Sequence, residues 1–238
     1  MATLAMSLIA ALLIPFTAAP AGAAPVTDLV VGAGRTGSSF NLFDGNLIGS
    51  ELTNSANFTD LGVTSVTLAS TADRVTADYL SGVDIFFDGW VYDAVATEGG
   101  LNRWTDQDEI DSIIEWVNRG GVLILTEDAS DTDPATAFDP ISAPIDANAL
   151  GQALGVPTAS HVFDAQNLDP APVLGVVTGA EANPMVDGPF GTIASLTPFG
   201  TLGNLGPSGS LPGAWTAVFE DQDGNAIIAE RTLGLGHV

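Results

Sequence analysis

Short runs of β-branched and aliphatic residues alternate with helical patterns over the first half of the chain. Four such runs predict strands, over residues 28–34, 63–69, 83–89 and 121–127. Near-continuous apolar strands that alternate with helices are typical of a parallel sheet covered on both faces. The pattern therefore predicts an α/β domain with a mostly parallel central sheet.

The clearest helical pattern lies between the third and fourth strands, from Asp106 to Asn118. Its apolar residues repeat at the i, i+3, i+4, i+7 spacing of one buried face, at Ile110, Ile113, Ile114 and Val117. Thr105 is the predicted N-cap, and Gly120 is the predicted stop. Shorter helices are predicted over residues 72–80 and 147–154.

The pattern changes after Pro157. Residues 159–212 are rich in Gly, Pro, Asn and Asp, which favours loops and short strands. Near the end, "AWTAVFEDQDGNAIIAER" holds two alternating runs around Asp-Gly-Asn, and this predicts a β-hairpin. A calcium loop of the helix-loop-helix type would need an oxygen ligand where Phe219 stands. The closing "GLGHV" is typical of the start of another strand, which leaves open whether the chain continues beyond Val238.

The first 24 residues carry no charge, and the apolar run Leu4–Ala19 is followed by small residues up to Ala24. This predicts a signal peptide over residues 1–24. The alternative, a membrane anchor, would need a run of roughly 20 apolar residues. We expect residues 25–238 to form a single domain, with 157–238 as its loop-rich part, located in the periplasm, at the cell surface or outside the cell.

Acidic residues outnumber basic residues by 29 to 5, for a formal net charge of −24. This charge repels phosphates and anionic lipid headgroups, so nucleic acid and membrane surfaces are excluded as partners of a basic patch. The acidic residues are scattered, which favours a surface adapted to high salt over cation sites. The chain contains no cysteine, so disulfide and thiolate chemistry are excluded.

Polar residues follow the third and fourth predicted strands. Asp88 and Trp90 stand at or just after the end of the third strand, and Glu127 and Asp128 at or just after the end of the fourth. Ligands of open parallel sheets gather outside the carboxyl ends of the strands. These four residues are therefore the predicted ligand-binding residues. The alternative is that they belong to ordinary surface turns.

Two other motifs are weaker candidates. "VVGAGRTG" matches GxGxxG at Gly32, Gly34 and Gly37, but neither the helix opening nor the ribose-binding acid of a dinucleotide site follows. We interpret it as a glycine-rich turn and predict no cofactor. His161 has Asp164 three residues later and no second clear ligand nearby, so no metal site is predicted.

Four segments in order, "VDIFFDGW", "IIEWVNRGG", "VLILTED" and "ANPMVDGPFG", resemble the secreted branch of the class I glutamine amidotransferase-like superfamily, which includes trehalose-utilisation-type domains. The resemblance covers residues 26–191 and implies a flavodoxin-like three-layer sandwich. In active members the turn after the strand matching "VLILTE" carries a cysteine nucleophile, and a histidine followed two residues later by a glutamate completes the site. Here Glu127 and Asp128 stand in that turn, and His237 is followed only by Val238. The resemblance thus implies a non-catalytic member.

The sequence supports three functional hypotheses. The first is an exported, non-catalytic domain that binds a small molecule, a glycan or a component of the cell envelope. The second is a hydrolase that uses carboxylates or a bound metal ion. The third is a structural part of a longer, anchored surface protein. No catalytic residue is predicted.

Overall fold

The computed structural model describes residues 28–33, 54–56, 62–69, 74–88, 106–125, 149–157, 162–164, 173–188, 191–197 and 201–238. Its helices are α1 (Ala77–Leu80), α2 (Gln107–Asn118) and α3 (Ala149–Leu154), with a 3-10 turn at Ser208–Ser210. Its strands are β1 (Asp28–Ala33), β2 (Ser65–Ala69), β3 (Ile85–Asp88), β4 (Val122–Leu125), β5 (Val162–Asp164), β6 (Leu174–Val176), β7 (Asp187–Gly188), β8 (Gly191–Thr192), β9 (Ser195–Leu196), β10 (Thr201–Gly203), β11 (Thr216–Glu220), β12 (Ala226–Glu230), β13 (Thr232–Leu233) and β14 (Gly236–His237).

The main sheet, as far as the structure describes it, contains six strands in the order β13-β14-β4-β3-β1-β2. The pairs β1–β2, β1–β3, β3–β4 and β4–β14 are parallel, whereas β13 and β14 form an antiparallel hairpin at one edge. The predicted mostly parallel central sheet is confirmed, and the fold class is mixed α/β.

The two faces of the main sheet bury different side chains of the same strands. Phe86 of β3 lies in a cluster with the helices, while the next residue, Phe87, lies in the cluster on the opposite face. This alternation follows from the two-residue period of a strand. The helix-side cluster holds Val75, Leu80, Val83, Phe86, Ile110, Ile113, Trp116, Val117, Leu123, Leu150, Leu154, Val156 and Trp215. Each large apolar side chain buried here contributes about 1.5–3 kcal/mol relative to leaving it exposed.

The helices begin later than the sequence pattern predicts. The N-cap of α2 is Asp106 and not Thr105, because the Asp106 carboxylate accepts a hydrogen bond from the Asp108 N–H at 3.0 Å. The helix α1 begins at Ala77 and not at residue 72, with Thr76 as its N-cap. Val75 precedes this helix and donates its N–H to a side chain of α2.

A second sheet contains β12, β11, β6 and β9 in that order among the described residues, and its neighbouring strands are antiparallel. Strands β11 and β12 form the predicted hairpin, which is confirmed. The Asp221 carboxylate organises its turn, accepting hydrogen bonds from the N–H groups of Asp223 at 2.9 Å and Asn225 at 2.8 Å. Gly224 has a φ of 78°, the left-handed conformation that the turn requires.

The C-terminal residues return to the main sheet. His237 pairs with Val122 of β4, and the N–H of Leu235 donates to the carbonyl of Asn118 at 3.0 Å, at the end of α2. A Cβ on Gly236 would collide with the carbonyl oxygens of Gly121 and Val117. This close backbone approach explains the glycine, and the strand predicted in "GLGHV" is present.

The C-terminal end of α3 contacts residues that flank the β11–β12 hairpin of the second sheet. The Arg231 guanidinium donates to the carbonyl of Leu154, and the indole N–H of Trp215 donates to the carbonyl of Gly155 at 2.7 Å. A cation at a helix C-terminus is stabilised by the helix dipole. These two contacts fix the segments beside the hairpin against the helix layer.

None of the helices in the described ranges is long and apolar enough to cross a membrane. The predicted signal peptide, residues 1–24, lies outside the described residues.

Candidate functional site

The structure describes one residue of the predicted site, Asp88, which lies at the carboxyl edge of the main sheet. Asp88 is the last residue of β3 and pairs with Leu125, the last residue of β4. Trp90, Glu127 and Asp128 lie outside the described residues. The strands that lead to the two predicted pairs of residues are therefore direct neighbours, and they end at the same level.

The end of β1 lies on the other side of β3. Ala33, its last residue, pairs with Phe87. Since β1 has β2 on one side and β3 on the other, the strand order reverses at β1. In open α/β sheets this reversal creates a crevice at the carboxyl ends of β1 and β3, so the end of β1 adjoins the end of β3 that carries Asp88.

A group of polar side chains lies where the helices begin, at the same edge of the sheet. In a parallel sheet each helix starts near the carboxyl end of the preceding strand, which places the residues before α1 and α2 here. Arg74 forms an ion pair with Asp106, the N-cap of α2. In the first turn of α2, Glu109 accepts a hydrogen bond from the Val75 N–H at 2.7 Å. We call Arg74, Val75, Asp106 and Glu109 the polar junction.

The two side-chain contacts of the polar junction differ in strength because they differ in burial. The side chains of Arg74 and Asp106 are 55% and 38% exposed, so their ion pair is worth at most about 1 kcal/mol. Glu109 is only 1% exposed. A hydrogen bond to a charged group contributes about 1.5–3 kcal/mol, and its loss would leave the Val75 N–H without this acceptor. Glu109 is therefore the main anchor between the start of α1 and α2.

The polar junction is not evident from the sequence pattern. Its signal was present in the first turn of α2, where Glu109 directly precedes Ile110 of the buried face. A carboxylate beside a buried stripe requires a nearby donor. The sequence does not indicate which donor, because Val75 lies 34 positions away.

The first glycine of "VVGAGRTG" has a packing role. Gly32 lies within β1, where an added Cβ would be 3.0 Å from Cγ1 of Val83 and 3.1 Å from both Cδ2 of Phe86 and Oη of Tyr79. Its small size lets α1 and β3 approach the strand closely. Gly34 and Gly37 lie outside the described residues. Gly32 lies in the strand predicted over residues 28–34, and the close packing around it explains the glycine.

Tyr79 faces this glycine from α1. Burial raises the pKa of its phenol above the usual value, because the charged phenolate loses solvation. Its ring packs edge-on against Phe86, with the ring centroids 6.4 Å apart. The hydroxyl thus stays neutral across the physiological pH range and is a hydrogen-bonding group rather than a base.

The remaining candidates add no metal site among the described residues. His161 is outside them, and Asp164 belongs to β5, where it pairs with Thr201. Nowhere in the described ranges do three or more His, Cys, Asp or Glu side chains form a group able to hold a metal ion. Trp116 and Trp215 are buried in the helix-side cluster, and their indole N–H groups donate to the backbone carbonyls of Val83 and Gly155.

Comparison with known proteins adds little to this picture. No protein-family model matches the chain, and no curated protein matches it. A solved structure of a cytoplasmic protein from Salmonella typhimurium aligns with 88% of this chain and 85% of its own, at 11% sequence identity and a TM-score of 0.46. Similarity at this level carries no argument about fold or function.

Proposed function

We propose that this protein is an exported, non-catalytic ligand-binding domain with a flavodoxin-like fold, similar to the secreted branch of the class I glutamine amidotransferase-like superfamily. Its ligand-binding crevice would be formed by Asp88, Trp90, Glu127 and Asp128. The ligand would be a small molecule, a glycan or a component of the cell envelope. Export rests on the predicted signal peptide.

The strand order supports the fold assignment. Flavodoxin-like sheets have five parallel strands in the order 2-1-3-4-5. The main sheet has β2, β1, β3 and β4 in this order, with β14 next to β4. Strand β14 would then be the fifth strand, which the chain reaches only after the antiparallel sheet. The insertion of that sheet distinguishes this chain from a minimal flavodoxin-like domain.

The observation that carries the site is the pairing of Asp88 with Leu125. Neighbouring strands lie about 4.8 Å apart, and each residue extends the chain by at most about 3.6 Å. Glu127 follows Leu125 by two residues, so the covalent chain limits its backbone to within about 7 Å of the end of β4. The carboxylates after β3 and β4 can therefore serve one ligand.

The residue types indicate the chemistry of the ligand. Carboxylates accept hydrogen bonds from hydroxyl groups and amines, and an indole ring offers an apolar surface with one N–H donor. The net charge of −24 disfavours anionic ligands. The combination suits an uncharged, hydroxyl-rich molecule or a cation. The turn that carries the nucleophile in active amidotransferases contains Glu127 and Asp128 here, which supports binding without thiolate chemistry.

Binding to a glycan array and to an array of envelope extracts would test the proposal. The wild type should retain a defined set of components, and Trp90→Ala and Asp128→Ala should each weaken that binding at least about tenfold, the effect of losing about 1.4 kcal/mol. Asp223→Ala is the matched control, since Asp223 is exposed in the hairpin turn of the second sheet. Unchanged binding by both crevice variants would refute the site, and a wild type that retains nothing would refute the ligand classes.

A carboxylate- or metal-dependent hydrolase is the second candidate, favoured by the same adjacency of acidic strand ends. A specific calcium or magnesium site would raise the melting temperature at constant ionic strength, with a stabilisation of about 2.7 kcal/mol at a concentration one hundred times the Kd. Sodium chloride at equal ionic strength is the control. An equal gain with sodium chloride would mean that salt only screens the acidic surface, which would exclude the metal site and support salt adaptation.

A further inference from the structure

We draw no further inference here: the strongest candidate, the partly buried Arg231 guanidinium at the end of α3, whose Nε lacks a hydrogen-bond partner among the described residues, carries nothing because no contact of those residues shows which ligand would accept that N–H.

Discussion

Replacement of Gly121 by alanine should destabilise the protein through a single, identifiable collision. Gly121 directly precedes β4, and an added Cβ would lie 2.5 Å from Cζ2 of Trp116 and closer still to Cδ2 and Cε2. A real Cβ almost never lies within 3.0 Å of another heavy atom. Either the indole or the start of β4 must therefore move.

The indole of Trp116 has little freedom to move. It is 5% exposed, it donates its N–H to the carbonyl of Val83 at 3.0 Å, and it packs edge-on against Phe86 at a centroid distance of 6.4 Å. Overpacking of this kind costs about 1–3 kcal/mol. Loss of the indole hydrogen bond would add about 1 kcal/mol, while the stiffer unfolded chain of an alanine variant returns about 0.4–1 kcal/mol. The expected net loss is about 1–3.6 kcal/mol.

A double-mutant cycle measured by urea unfolding, with far-UV circular dichroism at fixed salt, would isolate this collision. Gly121→Ala is compared in the wild type and in Trp116→Leu, whose shorter side chain removes the indole ring. In that background the cost should fall below about 1 kcal/mol, giving a coupling energy within the usual range of about 0.5–3 kcal/mol. Gly82→Ala is the matched control, because a Cβ at Gly82 meets no atom within 4 Å.

Two results would refute this reasoning. The first is a Gly121→Ala variant that unfolds at the same urea concentration as the wild type. The second is an equal loss in both backgrounds, which would place the cause in the backbone and not in Trp116. The outcome also bears on the candidate site, since Trp116 contacts the start of β3 and Gly121 leads into β4. The packing of Trp116 between these two segments helps to set the register in which Asp88 lies beside Leu125.

Three further predictions concern individual polar groups. Glu109→Ala should lower the free energy of unfolding by about 2–4 kcal/mol, because the buried Val75 N–H loses the Glu109 carboxylate as its acceptor. Glu109→Gln keeps an acceptor oxygen and should lower the free energy of unfolding clearly less. Equal losses in the two variants would contradict the role of Glu109 as that acceptor. Asp221→Ala should lower the free energy of unfolding by about 1–2 kcal/mol, because two backbone N–H groups of the hairpin turn lose their acceptor. Asp223 is exposed, so Asp223→Ala should change that free energy by no more than about 0.5 kcal/mol. A larger loss for Asp223→Ala than for Asp221→Ala in urea unfolding would overturn the role assigned to Asp221. Burial of Tyr79 raises the pKa of its phenol above the usual value of about 10, so the stability that this group contributes is present below that pH and is lost as the pH rises through the folded pKa. A tyrosinate absorbance titration should show a component above the usual range, and Tyr79→Phe should remove it. A wild type without this component would contradict the raised pKa.

The candidate site could be predicted in outline but not in full. The sequence placed Asp88 at the end of a strand because the apolar run before it is local and continuous. It did not reveal the buried contact of Glu109, because the donor belongs to a segment before a different helix. Nor did it show that the strand order reverses at β1, since that order depends on which strands pair.

The sequence by itself determined where the first four strands, the two hairpin strands, the final strand and the three helices form. Strand and helix periodicity, helix caps and turn residues depend on side chains a few positions apart, so "GVLILTE", the buried face of α2 and the Asp-Gly-Asn hairpin could be recognised directly. Even so, the exact helix starts required the capping hydrogen bonds that the Asp106 and Thr76 side chains accept, which compete with simple periodicity.

Only the tertiary structure decided the partners of these elements. Strand β14 pairs with Val122 of β4 although almost half of the chain separates them. Gly236 is required in β14 because two carbonyl oxygens occupy the space that a Cβ would take. Likewise, Gly32 matches a nucleotide motif in sequence, but in the structure it accommodates Val83, Phe86 and Tyr79. Such constraints arise from atoms brought together across the fold, and local sequence patterns carry no record of them.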